Sequence, residues 1–232
     1  LGYITQCDFD TLKNISVKVK TNEHDIQAPH FKESLRIQLE KIVGKEQLYS
    51  GGLIIQTTIN RKAQAIAEQA FKERCTKMRT TINKDIDGAV ISMEVKTGDI
   101  KAMVGGYDFK ISKWNRALQA KRQMGSVFKT IVYAAAMEAG CSFADTEIDE
   151  PIELIVAHRL WAPHNWDNTF AGPMTLAYAL SRSSNIVSIK TFLRIGADPI
   201  VSLAKKCHLE GPIHPYPSLA LGCIDVTLKE TL

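Results

Sequence analysis

The sequence predicts an α+β fold in which an antiparallel sheet packs with helices. Two short apolar runs, Ala89 to Val95 and Ile100 to Val104, flank Lys96-Thr97-Gly98-Asp99, which is the pattern of a β-hairpin with Gly98 taking the unusual backbone angle of the turn. Helical patterns then follow without the regular strand–helix alternation of a parallel sheet. One of them, from Ser126 to Ala139, is apolar on almost every side and therefore belongs in the interior.

The remaining elements follow from spacing. Phe31 to Val43 carries Leu35, Leu39 and Ile42 on one face, so it reads as a helix that Gly44 ends, and Gly51-Gly52 marks a turn. The β-branched run Leu53 to Ile59 predicts a strand. Asn60 is placed to cap a helix from Arg61 to about Arg74, rich in Ala, Gln and Glu. Gly140 stops the apolar helix. Thr175 to Leu180 and Ile186 to Arg194 predict two short helices separated by Ser181-Arg182-Ser183-Ser184-Asn185, and Gly196 closes the second.

Composition narrows the class. Of the 232 residues, 45% are hydrophobic and 23% charged, as in an ordinary globular protein, and the length suits one large domain or somewhat more. A net charge of +4 without any block of like charges argues against a nucleic-acid partner. The five cysteines form no C-x-x-C pair, and His158 and His164 lack helical metal-ligand spacing, so neither a metal nor another cofactor is expected. No run reaches the roughly 18 apolar residues of a membrane span. The opening Leu1-Gly2-Tyr3 is not a signal peptide, so the chain reads as an excerpt, with any membrane anchor outside it.

Two constellations carry chemistry. Ser126 and Lys129 open the apolar helix three residues apart, on one face. There the ammonium would be poorly solvated, which lowers the lysine pKa and makes it a candidate base. A serine at a helix N-terminus gains from the partial positive charge, and unpaired N–H groups can face an oxyanion. The spacing alone equally suits a capping serine with a lysine reaching solvent. The second constellation is Ser183-Ser184-Asn185, where a hydroxyl can relay a proton and an amide can hold a substrate carbonyl. Taken alone, Ser184 or Asn185 could simply cap the following helix.

In this order the two motifs resemble the S-x-x-K and S-x-N elements of serine penicillin-recognising enzymes. The surrounding stretches resemble class A, bifunctional penicillin-binding proteins over about residues 28 to 232: Gly51-Gly-Leu-Ile-Ile-Gln-Thr-Thr-Ile59, Trp114-Asn-Arg-Ala117, Arg122-Gln-Met-Gly-Ser-Val-Phe-Lys129, Trp161-Ala-Pro-His-Asn-Trp166, Gly172-Pro-Met-Thr-Leu176 and Pro217-Ser-Leu-Ala-Leu-Gly222. The resemblance implies a penicillin-binding transpeptidase fold of the serine β-lactamase-like kind, incomplete at the C-terminus. It implies Ser126 as nucleophile, Lys129 as base, Ser183 as proton relay and Asn185 as a substrate-binding residue. Residues 1–27 would be the tail of a preceding glycosyltransferase domain, 28–84 a linker region and 85–232 the transpeptidase domain. Glu23 and Glu33 are not taken as that domain's catalytic carboxylates.

The implied activity is D,D-transpeptidation at the extracytoplasmic, periplasmic face of the inner membrane. Its partners would be peptidoglycan stem peptides and lipid II-derived glycan strands, with β-lactams as covalent inhibitors. A β-lactam hydrolase or sensor fits less well because of residues 28–60, and a non-catalytic scaffold less well because all four motif residues are present. Two departures stand out. Lys96-Thr97-Gly98 spells the family's third motif but precedes the nucleophile, so it reads as a hairpin turn and the third motif is expected beyond Leu232. Met124 stands where the family usually has proline.

Overall fold

A computed structural model describes residues 5–13 and 27–232. In chain order these form α1 (Gln6–Leu12), α2 (Pro29–Val43), α3 (Lys45–Ser50), α4 (Arg61–Ile82), β1 (Val90–Met93), β2 (Ile100–Val104), α5 (Arg116–Gln119), β3 (Arg122–Gln123), α6 (Lys129–Glu138), β4 (Thr146–Asp149), β5 (Leu154–Val156), β6 (Arg159–Trp161), β7 (Gly172–Thr175), α7 (Leu176–Ser181), α8 (Asn185–Ile195), α9 (Ala197–Lys206), β8 (Asp225–Val226) and α10 (Leu228–Thr231). The strands pair in antiparallel twos, β1 with β2, β3 with β8, β4 with β7 and β5 with β6. The α+β reading holds. Glu23 and most of the expected glycosyltransferase tail lie outside the described residues.

The hairpin forms as expected, with Val90 opposite Val104 and Ile91 opposite Met103. Lys96-Thr97-Gly98 lies in its turn, and Gly98 has φ +74°. Helix α4 packs across β2. The buried Gln64 amide accepts from the Met103 N–H at 2.8 Å and donates to the Met103 carbonyl at 2.9 Å, so one side chain satisfies the strand's backbone as a neighbouring strand would. Asn60 caps α4 by accepting from the Ala63 N–H. The helix runs on to Ile82, well past Arg74. Its last turns are held by Arg79, which lies over the Tyr107 ring at 4.0 Å and donates to the Ile86 carbonyl at 2.7 Å.

The expected strand from Leu53 to Ile59 is not formed. That segment is irregular and mostly exposed, Ile54 at 93%. It reaches β2 only near its end, where Thr58 Oγ1 donates to the Ile100 carbonyl and the Asn60 N–H to the Lys101 carbonyl. β-Branched residues favour a strand only where a pleated, half-buried surface awaits them, and Gln64 already occupies the next part of that edge.

The core surrounds α6. On one side Phe128, Val132 and Ala135 meet Ile189 and Phe192 of α8, Ile200 and Ala204 of α9, and Leu219. On the other, Tyr133 packs with Met174, Leu176, Ala179 and Val187. Each large apolar side chain buried here contributes about 1.5–3 kcal/mol. A helix covered on both flanks holds the side chains at its start in one place.

Candidate active site

The approach to Ser126 is clamped by backbone alone. Gln123 pairs with Asp225, the Met124 N–H donates to the Ile224 carbonyl at 2.9 Å, and the Gly125 N–H to the Gly222 carbonyl at 3.1 Å. Both glycines are left-handed, Gly125 at φ +59° and Gly222 at φ +73°. A Cβ on Gly222 would land on the Gly125 backbone, so the close approach itself requires glycine. The φ of −66° at Met124 would suit proline, but proline could not supply the N–H that reaches Ile224.

Gly125 to Phe128 is a 3₁₀ turn, and α6 begins at Lys129. The expected helix start at Ser126 is thus a tighter turn, with the same consequence, because residues three apart are eclipsed in it. Phe128, fully buried, anchors the turn while Ser126 remains exposed. Among the described residues the Ser126 hydroxyl has no hydrogen-bond partner.

Lys129 is 1% exposed. Its Nζ donates to the Ser183 carbonyl at 2.6 Å, the Ser183 Oγ at 3.0 Å and the Asn185 Oδ1 at 2.7 Å. These partners are neutral oxygens, and burial lowers the lysine pKa to about 8. The three acceptors act in the opposite sense, because they favour the ammonium. At pH 7 a pKa of about 8 leaves roughly one amine in ten unprotonated, against about one in three thousand at 10.5.

Ser183 has φ +56°, costly for a residue with a Cβ, by about 1–2 kcal/mol. That conformation closes α7, with Ser183 and Ser184 N–H groups donating to Leu180 and Ala179 carbonyls, and presents the Ser183 carbonyl and hydroxyl together to Lys129. Ser184 turns inward and caps α8 through the Val187 N–H. Asn185, half-buried, uses Oδ1 for Lys129 and donates from Nδ2 to the His164 carbonyl at 2.8 Å. The structure therefore joins three of the four motif residues directly and carries Ser126 one turn before Lys129. His158 sits in the β5–β6 turn and joins none of this.

Two residues given no role by the motifs stand behind the loop. The Asn165 Oδ1 accepts from the Asn185 N–H at 2.9 Å, and its Nδ2 donates to the Asp149 carboxylate at 2.9 and 3.0 Å. Asn165 lay within the Trp161–Trp166 stretch, but a buried asparagine has no periodic signature, and nothing local singled out Asp149.

An α+β domain in which the lysine of an S-x-x-K stretch meets a Ser-x-Asn loop brings together two of the motifs found in penicillin-binding proteins. Comparison with known proteins identifies the family. Residues 88–215 match the penicillin binding protein transpeptidase domain, and the chain belongs to that family. It is 33% identical over 203 residues to penicillin-binding protein 2D of Bacillus subtilis, covering 84% of this chain and 28% of that protein. It is 34% identical over 174 residues to penicillin-binding protein 1A of Rickettsia prowazekii, covering 74% and 22%. The chain thus spans about a quarter of the length of these relatives. The fold matches the crystal structure of penicillin-binding protein 1A from Haemophilus influenzae with a TM-score of 0.79 at 19% identity, covering 98% of this chain and 48% of that one.

Proposed function

We propose that this chain is the acylating part of a peptidoglycan D,D-transpeptidase, within a bifunctional glycosyltransferase and transpeptidase. The observation that carries the reading is the buried Lys129 held by Ser183 and Asn185 one turn after an exposed serine. Ser126 Oγ attacks the penultimate carbonyl of a stem peptide ending in D-Ala-D-Ala. Its proton goes to the lone pair of neutral Lys129, which as an amine has two N–H groups and so releases one of its three oxygen contacts. Ser183 Oγ, 3.0 Å from the amine, gives its proton to the departing D-Ala nitrogen as the C–N bond breaks and takes back from the Lys129 ammonium the proton that came from Ser126. Asn185 Nδ2 spends one hydrogen on His164 and offers the other to a substrate carbonyl. An amine of a neighbouring strand then resolves the ester and forms the cross-link, while β-lactams stop at the ester.

The division into residues 1–27, 28–84 and 85–232 belongs to the same proposal, and a family match beginning at residue 88 supports its last boundary. The full-length protein would act on lipid II-derived strands at the outer face of the inner membrane. No helix among the described residues is long and apolar enough to cross a membrane, so the anchor would lie elsewhere.

The test is labelling of the complete protein with a fluorescent penicillin followed by peptide mapping. The adduct is expected on Ser126 and absent from Ser126→Ala. An adduct on Ser183, or undiminished labelling of Ser126→Ala, would sink the assignment.

A further inference from the structure

We infer that Asp149 and Asn165 are positioning residues that set the place of the lysine base through the Ser183–Asn185 loop. The inference rests on the acyl-transfer reading above. Asp149 is 3% exposed at the end of β4, and Asn165 is 9% exposed after β6. The Asp149 carboxylate accepts from Asn165 Nδ2 with both oxygens and from the Ala171 N–H at 3.1 Å. Asn165 Nδ2 also donates to the Thr169 carbonyl at 2.9 Å. With its amino group surrounded by acceptors, the Asn165 amide has only one workable orientation. A flip would set its oxygen against the carboxylate and the Thr169 carbonyl.

The amide oxygen therefore faces the start of α8. It accepts from the Asn185 N–H at 2.9 Å, with Ser184 Oγ at 3.4 Å and the Ile186 N–H at 3.5 Å. These backbone groups are orphan donors of a helix N-terminus, and Ser184 Oγ takes the next one, from Val187. The neighbouring His164 carbonyl holds the Asn185 side chain. Asn185 is thus gripped at its backbone and at its amide by consecutive residues, and its remaining atom, Oδ1, meets Lys129. A buried acid fixes an amide, the amide seats the loop, and the loop holds the amine.

Loosening this pair lets Asn185 and Ser183 move away and water reach Lys129. The titratable groups tied to this assembly are Tyr133, one turn along α6 and bonded to Ser188, Asp149 itself, and His164 through its carbonyl. None is an ionic partner of Lys129, so a variant exchanges its three protein acceptors for water, which accepts from the ammonium as they do, and removes the burial that lowers its pKa.

The experiment measures penicillin acylation of the complete protein across pH, as a rate constant per site that becomes labelled, which does not depend on the folded fraction. Asn165→Ala is expected to slow acylation by about tenfold to a hundredfold. The midpoint of its acid limb should move up toward that of free lysine. Wild-type rate constants and an unmoved limb in a labelled variant would overturn the inference, as would a loss of labelled sites alone, the mark of a merely structural role. If Asn165→Ala does not fold, the isosteric Asp149→Asn carries the same expectation, and if neither folds the pair is structural and the inference falls. Ser126→Ala runs in parallel. Labelling that survives there defeats the underlying reading, whereas its loss there beside wild-type kinetics for Asn165→Ala defeats this inference alone.

Discussion

The pH dependence of acylation tests the buried lysine most directly. If neutral Lys129 accepts the Ser126 proton, the rate follows the fraction of unprotonated amine. A pKa of about 8 makes that fraction about one half at pH 8 and nearly complete at pH 10, a rise of about twofold. A lysine at 10.5 would climb about eighty-fold over the same interval. The sign is fixed by the direction of the shift: a depressed lysine pKa means acid limits the reaction below about 8 and the rate levels off above it. Stopped-flow acylation with a fluorescent penicillin would measure this, with Lys129→Ala giving the hydroxide background. Lys129→Arg should resemble Lys129→Ala, because a guanidinium stays protonated. A rate that keeps rising tenfold per pH unit to pH 10, or an arginine variant near wild type, would refute the assignment of the base.

Two further predictions follow from backbone geometry. Gly222→Ala should cost more than about 2 kcal/mol and suppress acylation, since its Cβ meets the Gly125 backbone at a left-handed φ of +73°; thermal unfolding and labelling together check this, and an unaltered variant would mean the clamp behind Ser126 yields freely. Lys96→Ala should leave acylation unchanged because the residue lies in the hairpin turn, whereas Gly98→Val should destabilise the hairpin at φ +74°. Loss of acylation from folded Lys96→Ala would make that turn part of the site.

The resemblance of the quoted stretches to penicillin-binding proteins and the match over residues 88–215 agree on the family. Spacing alone had left Ser126 and Lys129 open to an ordinary cap and a solvated amine. The geometry closes half of that choice, because an amine 1% exposed and donating to three oxygens does not reach solvent. Ser184 does cap α8, so the capping alternative was correct for the middle residue while its two neighbours turn to Lys129.

What the sequence determined by itself was local. Asn60 caps α4, Gly98 turns the hairpin, Gly140 and Gly196 follow their helices, and the all-round apolar pattern puts α6 in the core, because each depends on residues within a few positions or on transfer from water. Only the tertiary structure decided where backbone and side-chain partners came from across the chain. Gln64, 39 residues from Met103, took a place at the β2 edge near which the 53–59 segment runs without forming a strand. Asn165 found Asp149 across 16 residues, and Lys129 found Ser183 across 54. A polar side chain carries no periodic mark of a distant partner, and burial, which changes both its hydrogen bonds and its proton affinity, exists only once the chain has folded around it.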